Sequence, residues 1–470
     1  MQTTNQHIAK TGQAGATSIL GDFCAAMTAA VLPPEILHKA ASCMLDAMGV
    51  GLLAHDQHTF VALNSLAADA SPGQPSALIW ASRRRAGLEE AVQANALSVH
   101  GQFHDDTDYA SWTHPGSLIV PVAVSLAESR NATLLQTLRA IACGYNAISW
   151  LGAGDSVARG MIERGFRASP VLGVIGAAAT ASVLLELDAS QARNAVGIAA
   201  SVAGGVLEPV RSGSDEWRLH NARAASTGLL AARLAQQGVQ GAPTALEGPM
   251  GLLHSFAGMD TPPPVWERQP SMEGILGVVA KPYAALGDNM AAVMAARLLH
   301  EDGVSLDDVA RIDILIWNHF TEYPGTSYRG PFERVTQAVA SMAFTVAAML
   351  VYGELEYDKP LLHREDERVL RLVPLIHITP DHEGNAYDAR VEITMKNGER
   401  IVRHAKDAGD SLLRHTPEVG INLFEERAHR SQRARGVGRN MAATVFENIA
   451  TLDSLNSADW LAALGAQDPA

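Results

Sequence analysis

From Thr17 to Gln237 apolar residues return at helical spacing in one segment after another, and those segments are built from alanine, glycine, valine, leucine and methionine. Aromatics make up 5% of the chain while glycine alone contributes 40 of its 470 residues, so its helices must meet through small side chains at short range. A mainly α fold follows. The spacing predicts helices over Thr17 to Ala30, Pro34 to Leu53, His58 to Ala70, Leu88 to Val99, Pro115 to Glu128, Leu134 to Leu151, Val171 to Leu185 and Ser190 to Val202, with a long one over Ala224 to Gln237. Val171 to Leu185 is apolar throughout but too short to span a bilayer, and reads as a buried core helix. Ala77 to Trp80 reads as a short strand, Arg83-Arg84-Arg85 as a solvated charge run, and Met1 to Gly15 as a polar tail.

The pattern changes after Thr261-Pro-Pro-Pro264, the clearest boundary in the chain. Ala310 to Trp317 alternates like a strand. Tyr387 to Met395 and Arg400 to His404, joined by Lys396-Asn397-Gly398-Glu399, read as a hairpin. Asp288 to His300, Val335 to Tyr352 and Asp358 to Val373 read as helices, and from Val419 to about Leu464 helices return. A chain of this length exceeds one ordinary core. The expected arrangement is a large all-helical domain (1–272), a smaller inserted α/β domain (273–404) and C-terminal helices rejoining the first domain (405–470).

A formal net charge of −14 argues against nucleic acid or an anionic membrane as partner, although local arginines could still hold a small anion. Cys24, Cys43 and Cys143 lie in apolar helical stretches without CxxC spacing and read as buried, reduced thiols; with no basic-then-apolar leader pattern, a cytoplasmic protein is expected. No phosphate loop, dinucleotide fingerprint, GxSxG or sequence repeat is present.

Chemistry concentrates between His100 and Pro121, where His100, His104, His114, Asp105, Asp106, Asp108, Thr107 and Tyr109 separate two helical patterns. Burying so many titratable groups demands mutual pairing or a ligand; the alternative is a polar loop with local caps. The spacing matches no zinc or calcium pattern, so cofactor-free acid–base chemistry is expected rather than a metal centre. Asp46, among apolar neighbours, reads as a packing bridge. Arg167 precedes the helix at Val171, where a bound anion would suit both; pairing with Glu163 is the alternative. Arg211, Arg218, His220 and Arg223 cluster before the long helix.

The chain resembles the MmgE/PrpD family, which includes 2-methylcitrate dehydratases, cis-aconitate decarboxylases and iminodisuccinate epimerases. The family run Asp-Phe-Asp-Asp-Thr followed by His-Pro stands here as Phe103-His-Asp-Asp-Thr107 and His114-Pro115. Also in family order are Met44 to Leu52 (MLDAMGVGL), Gly165-Phe166, Leu219-His220 before Ala224-Ala225, Lys281-Pro282-Tyr283, and Ser341 before Ala347-Ala348-Met349. The resemblance implies a large helical domain, a smaller α/β domain and a homodimer. This chain departs from the family at four places: Phe103 replaces an Asp, Arg167 a His, Trp217 a Lys, and Phe344 a Tyr.

Those losses of proton-handling groups, with arginine gained, weaken dehydration, which needs a well-placed acid. The expectation is therefore a cofactor-independent epimerase of a small polycarboxylate, most like iminodisuccinate epimerase. Lys281 would be one base, with Tyr145 or His114 on the opposite face. Arg167, Arg218, His104, Asp105, Asp106, Thr107, His220 and Tyr283 would bind or orient substrate, with Arg211 and Arg223 as further clamps. For Lys281 the alternative is an ion-paired surface lysine, and for Tyr145 an ordinary core tyrosine. A hydro-lyase, a cis-aconitate decarboxylase-like lyase and a non-catalytic binding protein are the competing functions.

Overall fold

The computed structural model describes residues 15–356, 364–408, 416–431, 452–457 and 461. The helical part opens with α1 (Ala16–Met27), α2 (Pro34–Leu52) and α3 (His58–Leu66), then a short antiparallel pair, β1 (Ser76–Ile79) and β2 (Arg84–Gly87). It continues through α4 (Leu88–His100), α5 (Pro115–Arg130), α6 (Leu134–Gly152), α7 (Ser156–Glu163), α8 (Ala168–Leu184), α9 (Ala189–Ser201), α10 (Glu208–Ser212) and α11 (Trp217–Gln236). Every residue of α8 is buried, with α5, α6, α9 and α11 packed around it. Close approach depends on glycine. A Cβ on Gly144 of α6 would stand 2.1 Å from the Thr180 hydroxyl of α8, and one on Gly228 of α11 would stand 2.5 Å from the Val174 carbonyl.

The second part holds α12 (Met290–Glu301), β3 (Val309–Trp317), α13 (Val335–Ala340), α14 (Met342–Tyr352), α15 (Glu367–Leu370), β4 (Ile376–Asp381), β5 (Ala389–Met395) and β6 (Arg400–His404). Its sheet runs β4-β3-β5-β6, with β3 and β4 parallel and the other pairs antiparallel. Ile312, Ile314 and Ile316 alternate inward along β3 and meet Val391 and Ile393 of β5 in a second apolar core with α12 and α14. The fold is mainly α with a smaller α/β part, as the pattern change predicts. α16 (Pro417–Arg430) then packs on α2, where the Arg427 guanidinium pairs with buried Asp46 and donates to the Lys281 carbonyl at 3.1 Å. Asp46 is thus the packing bridge expected of it.

Several elements differ from expectation for physical reasons. The long helix begins at Trp217, so Arg218, His220 and Arg223 ride on a helix rather than in a loop. Arg84 and Arg85 belong to β2 and stay at the surface, Arg84 paired with Asp69 and exposed Arg85 with Glu128. The Val335 to Tyr352 helix breaks at Ser341, whose side chain caps α14 by accepting from the Phe344 N–H and donates to the Tyr328 carbonyl. The Asp288 to His300 helix starts with a 3₁₀ turn, Gly287–Asn289. Of the Asp358 to Val373 helix only Glu367–Leu370 is helical, and 357–363 lie outside the described residues. Strand β4 and helix α7 were not expected. The tail at 1–14 and most of the chain after 431 also fall outside the described residues. Cys24, Cys43 and Cys143 are buried and free. No helix among the described residues is long and apolar enough to cross a membrane.

Candidate active site

Where the two parts meet lies a narrow cavity of about 50 Å³ that opens to solvent at its mouth. The last residue of α4, His100, and the segment after it, through Asp105, Thr107 and His114, supply one wall; Arg167, at the N-cap of α8, stands in the same wall. Phe103, Val210 and Trp217 form an apolar wall, and Leu286, Gly287, Asp288 and Tyr323 close the cavity from the second part. Trp217 ties the two parts directly, because its indole N–H donates to the Thr336 hydroxyl at 3.1 Å.

A buried polar chain runs along the cavity. The Lys281 ammonium stands 3.7 Å from one oxygen of Asp105, whose other oxygen is 2.7 Å from His100 Nδ1. His100 Nε2 lies 3.0 Å from an Arg167 nitrogen, and a second Arg167 nitrogen donates to the Trp217 carbonyl at 2.8 Å. Guanidinium can only donate, so His100 Nε2 accepts and its Nδ1–H donates to Asp105. Neutral His100 is thereby fixed in one tautomer, and burial depresses its pKa. Burial pushes the Asp105 carboxyl up, but the His100 Nδ1–H and the Lys281 ammonium beside it outweigh burial and hold the group well below the usual carboxylate range. Burial also lowers Lys281 (1% exposed), against the opposing pull of Asp105, Asp106 and Asp288. Lys281 is not in the cavity wall itself; it stands behind Asp105 and also donates to the Ala285 carbonyl.

His114 caps the other side. Its Nδ1 is 2.9 Å from the Asp106 carbonyl, an acceptor only, so Nδ1 carries the proton and Nε2 keeps a lone pair. Burial holds this imidazole neutral, with its pKa lowered to about 3. The Thr107 hydroxyl is 3.4 Å from the same nitrogen.

Other expected residues lie outside the wall. Tyr145 donates to Asp106 at 2.7 Å, the Gly116 N–H donates to the other oxygen of Asp106, and neither residue lines the cavity. Burial and Asp46 push Asp106 up to about 8, while burial and Asp106 raise the Tyr145 phenol well above its ordinary value. Tyr145 therefore sits as a bonded core tyrosine, a poor place for a base acting on a ligand. Arg218 is buried against the Trp217 ring and bonds Asp215 and the Gly101 carbonyl. Arg211 is exposed and paired with Glu208, and Arg223 is exposed; none of the three clamps the cavity. Tyr283 packs against the second core, and His104 is buried behind the wall with its pKa lowered by burial, then by Arg427. His220 stands near Arg167 and His100, lowered to about 4 chiefly by burial. Three of the four departures line the cavity: Arg167, and Phe103 with Trp217, whose rings tilt against each other at 51° with centroids 4.3 Å apart. Phe344 instead packs on Phe332 in the second core.

Sequence reading missed Asp288 and Tyr323. Asp288 is 9% exposed, its Oδ2 has no hydrogen-bond partner, and burial raises it to about 7 despite its own N–H and Lys281. Burial raises the Tyr323 phenol too, with Arg167 beside it acting the other way. The available signal was an acid seven residues after Lys281, immediately before an apolar helix; it reads equally well as a helix start.

A buried guanidinium, two imidazoles kept neutral and carboxyls pushed in opposite directions suit proton transfer on a small anion. The chain matches the MmgE/PrpD N-terminal domain over residues 18–264 and the MmgE/PrpD C-terminal domain over residues 283–417, and it belongs to this family of enzymes. Among its relatives is the cis-aconitate decarboxylase-like protein oryM of Aspergillus oryzae, 24% identical over 420 residues that span 83% of this chain and 86% of that protein. The cis-aconitate decarboxylases of Homo sapiens and Mus musculus are each 29% identical over 215 residues, 45% of this chain and 44% and 43% of theirs. The chain thus spans under half the length of those two enzymes.

Proposed function

We propose that this protein is a lyase that removes carbon dioxide from a small unsaturated polycarboxylate, using only side chains of the cavity. The observation that carries this reading is Arg167: 6% exposed, fixed by a carbonyl and a neutral imidazole, it offers a planar cationic fork to a carboxylate next to an apolar wall. The retained carboxylate would sit on Arg167. The departing one, pressed toward Phe103 and Trp217, would lose hydration, which favours neutral carbon dioxide over the carboxylate. As the C–C bond breaks, its electron pair spreads into the conjugated alkene and carboxylate, where Arg167 stabilises the charge. A proton then closes the carbon. The names of the relatives support the same class of reaction.

Epimerisation of an iminodisuccinate-like compound is the second reading, favoured by neutral His114 with its free Nε2 and by an amine-capable Lys281. In that reading His114, rather than Tyr145, serves the face opposite Lys281. Both readings are tested by following cis-aconitate, 2-methylcitrate and iminodisuccinate stereoisomers by NMR in D2O. The lyase reading expects carbon dioxide from cis-aconitate and one deuterium in the dicarboxylate product. Deuterium at the α-carbon of iminodisuccinate without bond cleavage would replace it with epimerisation, and turnover of none of the three would refute both.

A further inference from the structure

Asp105 accepts the His100 Nδ1–H, stands 3.7 Å from the Lys281 ammonium and is held well below the usual carboxylate range, so it has no proton to give at neutral pH. His114 is neutral and offers a lone pair. The Tyr109 hydroxyl is committed to the Gly287 carbonyl at 3.0 Å. Lys281 stands behind Asp105 and Asp106 lies outside the wall. That elimination leaves two acids facing the cavity, Asp288 and Tyr323.

Between them the geometry favours the carboxyl. Asp288 enters from the turn Gly287–Asn289 that precedes α12, on the opposite part of the molecule from Arg167. Its Oδ2 is buried with no hydrogen-bond partner, a costly state for any polar atom unless a ligand completes it. The titratable groups that face it are Lys281, Tyr109 and Tyr323.

We propose that Asp288 is the proton donor of this site, its carboxyl, with Oδ2 unpaired, delivering the proton that replaces the departing group on carbon. The assignment rests on the lyase reading above. In the step, the substrate C–C bond breaks and releases carbon dioxide, and the electron pair delocalises into the neighbouring alkene and carboxylate. The O–H bond of Asp288 then breaks as the new C–H bond forms. The Asp288 carboxylate left behind faces the Lys281 ammonium and is reprotonated by water once product leaves. A trianion and a proton become a dianion and carbon dioxide, so atoms and charge balance without an oxidant or co-reactant.

A protonated donor with a pKa of about 7 places the rate loss on the alkaline side: kcat/KM should be level below pH 7 and fall as pH rises beyond it. Asp288→Asn should lower kcat at least a hundredfold with a small change in KM, and its residual rate should lose the alkaline limb. Asp288→Glu should keep that limb at a reduced rate and guards against an Asn variant that fails to fold. A second readout needs no turnover. Tricarballylate, a saturated tricarboxylate, titrated calorimetrically at pH 7.5 in two buffers of different ionisation enthalpy, should bind the wild type with proton uptake and Asp288→Asn without it.

Asp288→Asn retaining a kcat within threefold of wild type with the limb intact would overturn the proposal and leave the lyase reading standing. A limb lost in Tyr323→Phe but kept in Asp288→Asn would hand the role to Tyr323. Failure of tricarballylate to bind, together with no turnover of cis-aconitate, would strike the lyase reading, and the proposal with it.

Discussion

Among the described residues Arg167 is held by the Trp217 carbonyl and His100 rather than by a carboxylate; Glu163, its expected alternative partner, does not pair with it. A desolvated guanidinium fixed in this way is poorly replaced by an ammonium, which lacks the planar fork. Arg167→Lys is expected to lower kcat/KM on the turned-over polycarboxylate by about 10–100-fold and Arg167→Ala by more, read from initial rates across substrate concentration. Stability should also respond to pH. Asp288 and Asp106, raised to about 7 and 8, keep protons in the folded state that the unfolded chain has released above about pH 4. Folding therefore binds protons across that window, and stability falls as pH climbs through it. The neutral imidazole of His114 acts on the acid side, taking stability away as pH drops from about 6.5 toward 3. Thermal midpoints should decline from pH 6 to 8.5, less steeply for Asp288→Asn; an equal slope in that variant would contradict the assigned ionisation. At this scale the sequence located Asp105, Thr107, His114 and Arg167 as neighbours because three share one short run and the fourth opens an apolar helix. Asp288 and Tyr323 escaped because their neighbours come from the other part of the molecule. Tyr145 lies behind the wall on Asp106, a placement that helical periodicity does not reveal because it does not say which way α6 faces.

The helices were readable from small-residue periodicity, and so was their close approach. Gly228→Ala would drive a methyl into the Val174 carbonyl and Ala177, and is expected to destabilise by about 1–3 kcal/mol, read from the denaturant midpoint. Breaks inside helical patterns were not readable. Ser341 looks like any small residue in a helix, and only its partner, the Tyr328 carbonyl, turns it into a boundary. The Trp217 start is hidden for the opposite reason: Arg218, His220 and Arg223 break the apolar pattern of its first turns, while buried Trp217 and Asn221 pack those turns into the fold. α16 is fastened to α2 by the Asp46–Arg427 pair. Removing one partner of a buried pair leaves the other uncompensated, so Arg427→Ala should cost about 3–5 kcal/mol. Asp46→Ala combined with Arg427→Met should recover much of that; a double variant as unstable as the sum of the singles would count against the pairing as the cause.

At the scale of the whole molecule, two apolar cores meet along the cavity, and residues of the helical part (Phe103, Val210, Trp217) belong to the core of the smaller part. The division into a helical and an α/β part was readable because the hydrophobic period changes near the proline run. The parallel pairing of β3 with β4 was not, because β4 has no clean alternation, carries Pro380 and finds its partner across a helical crossover. The homodimer implied by the family resemblance is a further proposal, for which light scattering should return twice the mass of one chain. The central claim is that the seam between the two cores binds a polycarboxylate through Arg167. A crystal structure of the protein soaked with tricarballylate tests it most directly. The account predicts one carboxylate on the Arg167 fork, a second against Phe103 and Trp217, and a backbone carbon facing Asp288. Tricarballylate bound elsewhere, with this cavity unfilled at saturating concentration, would contradict it.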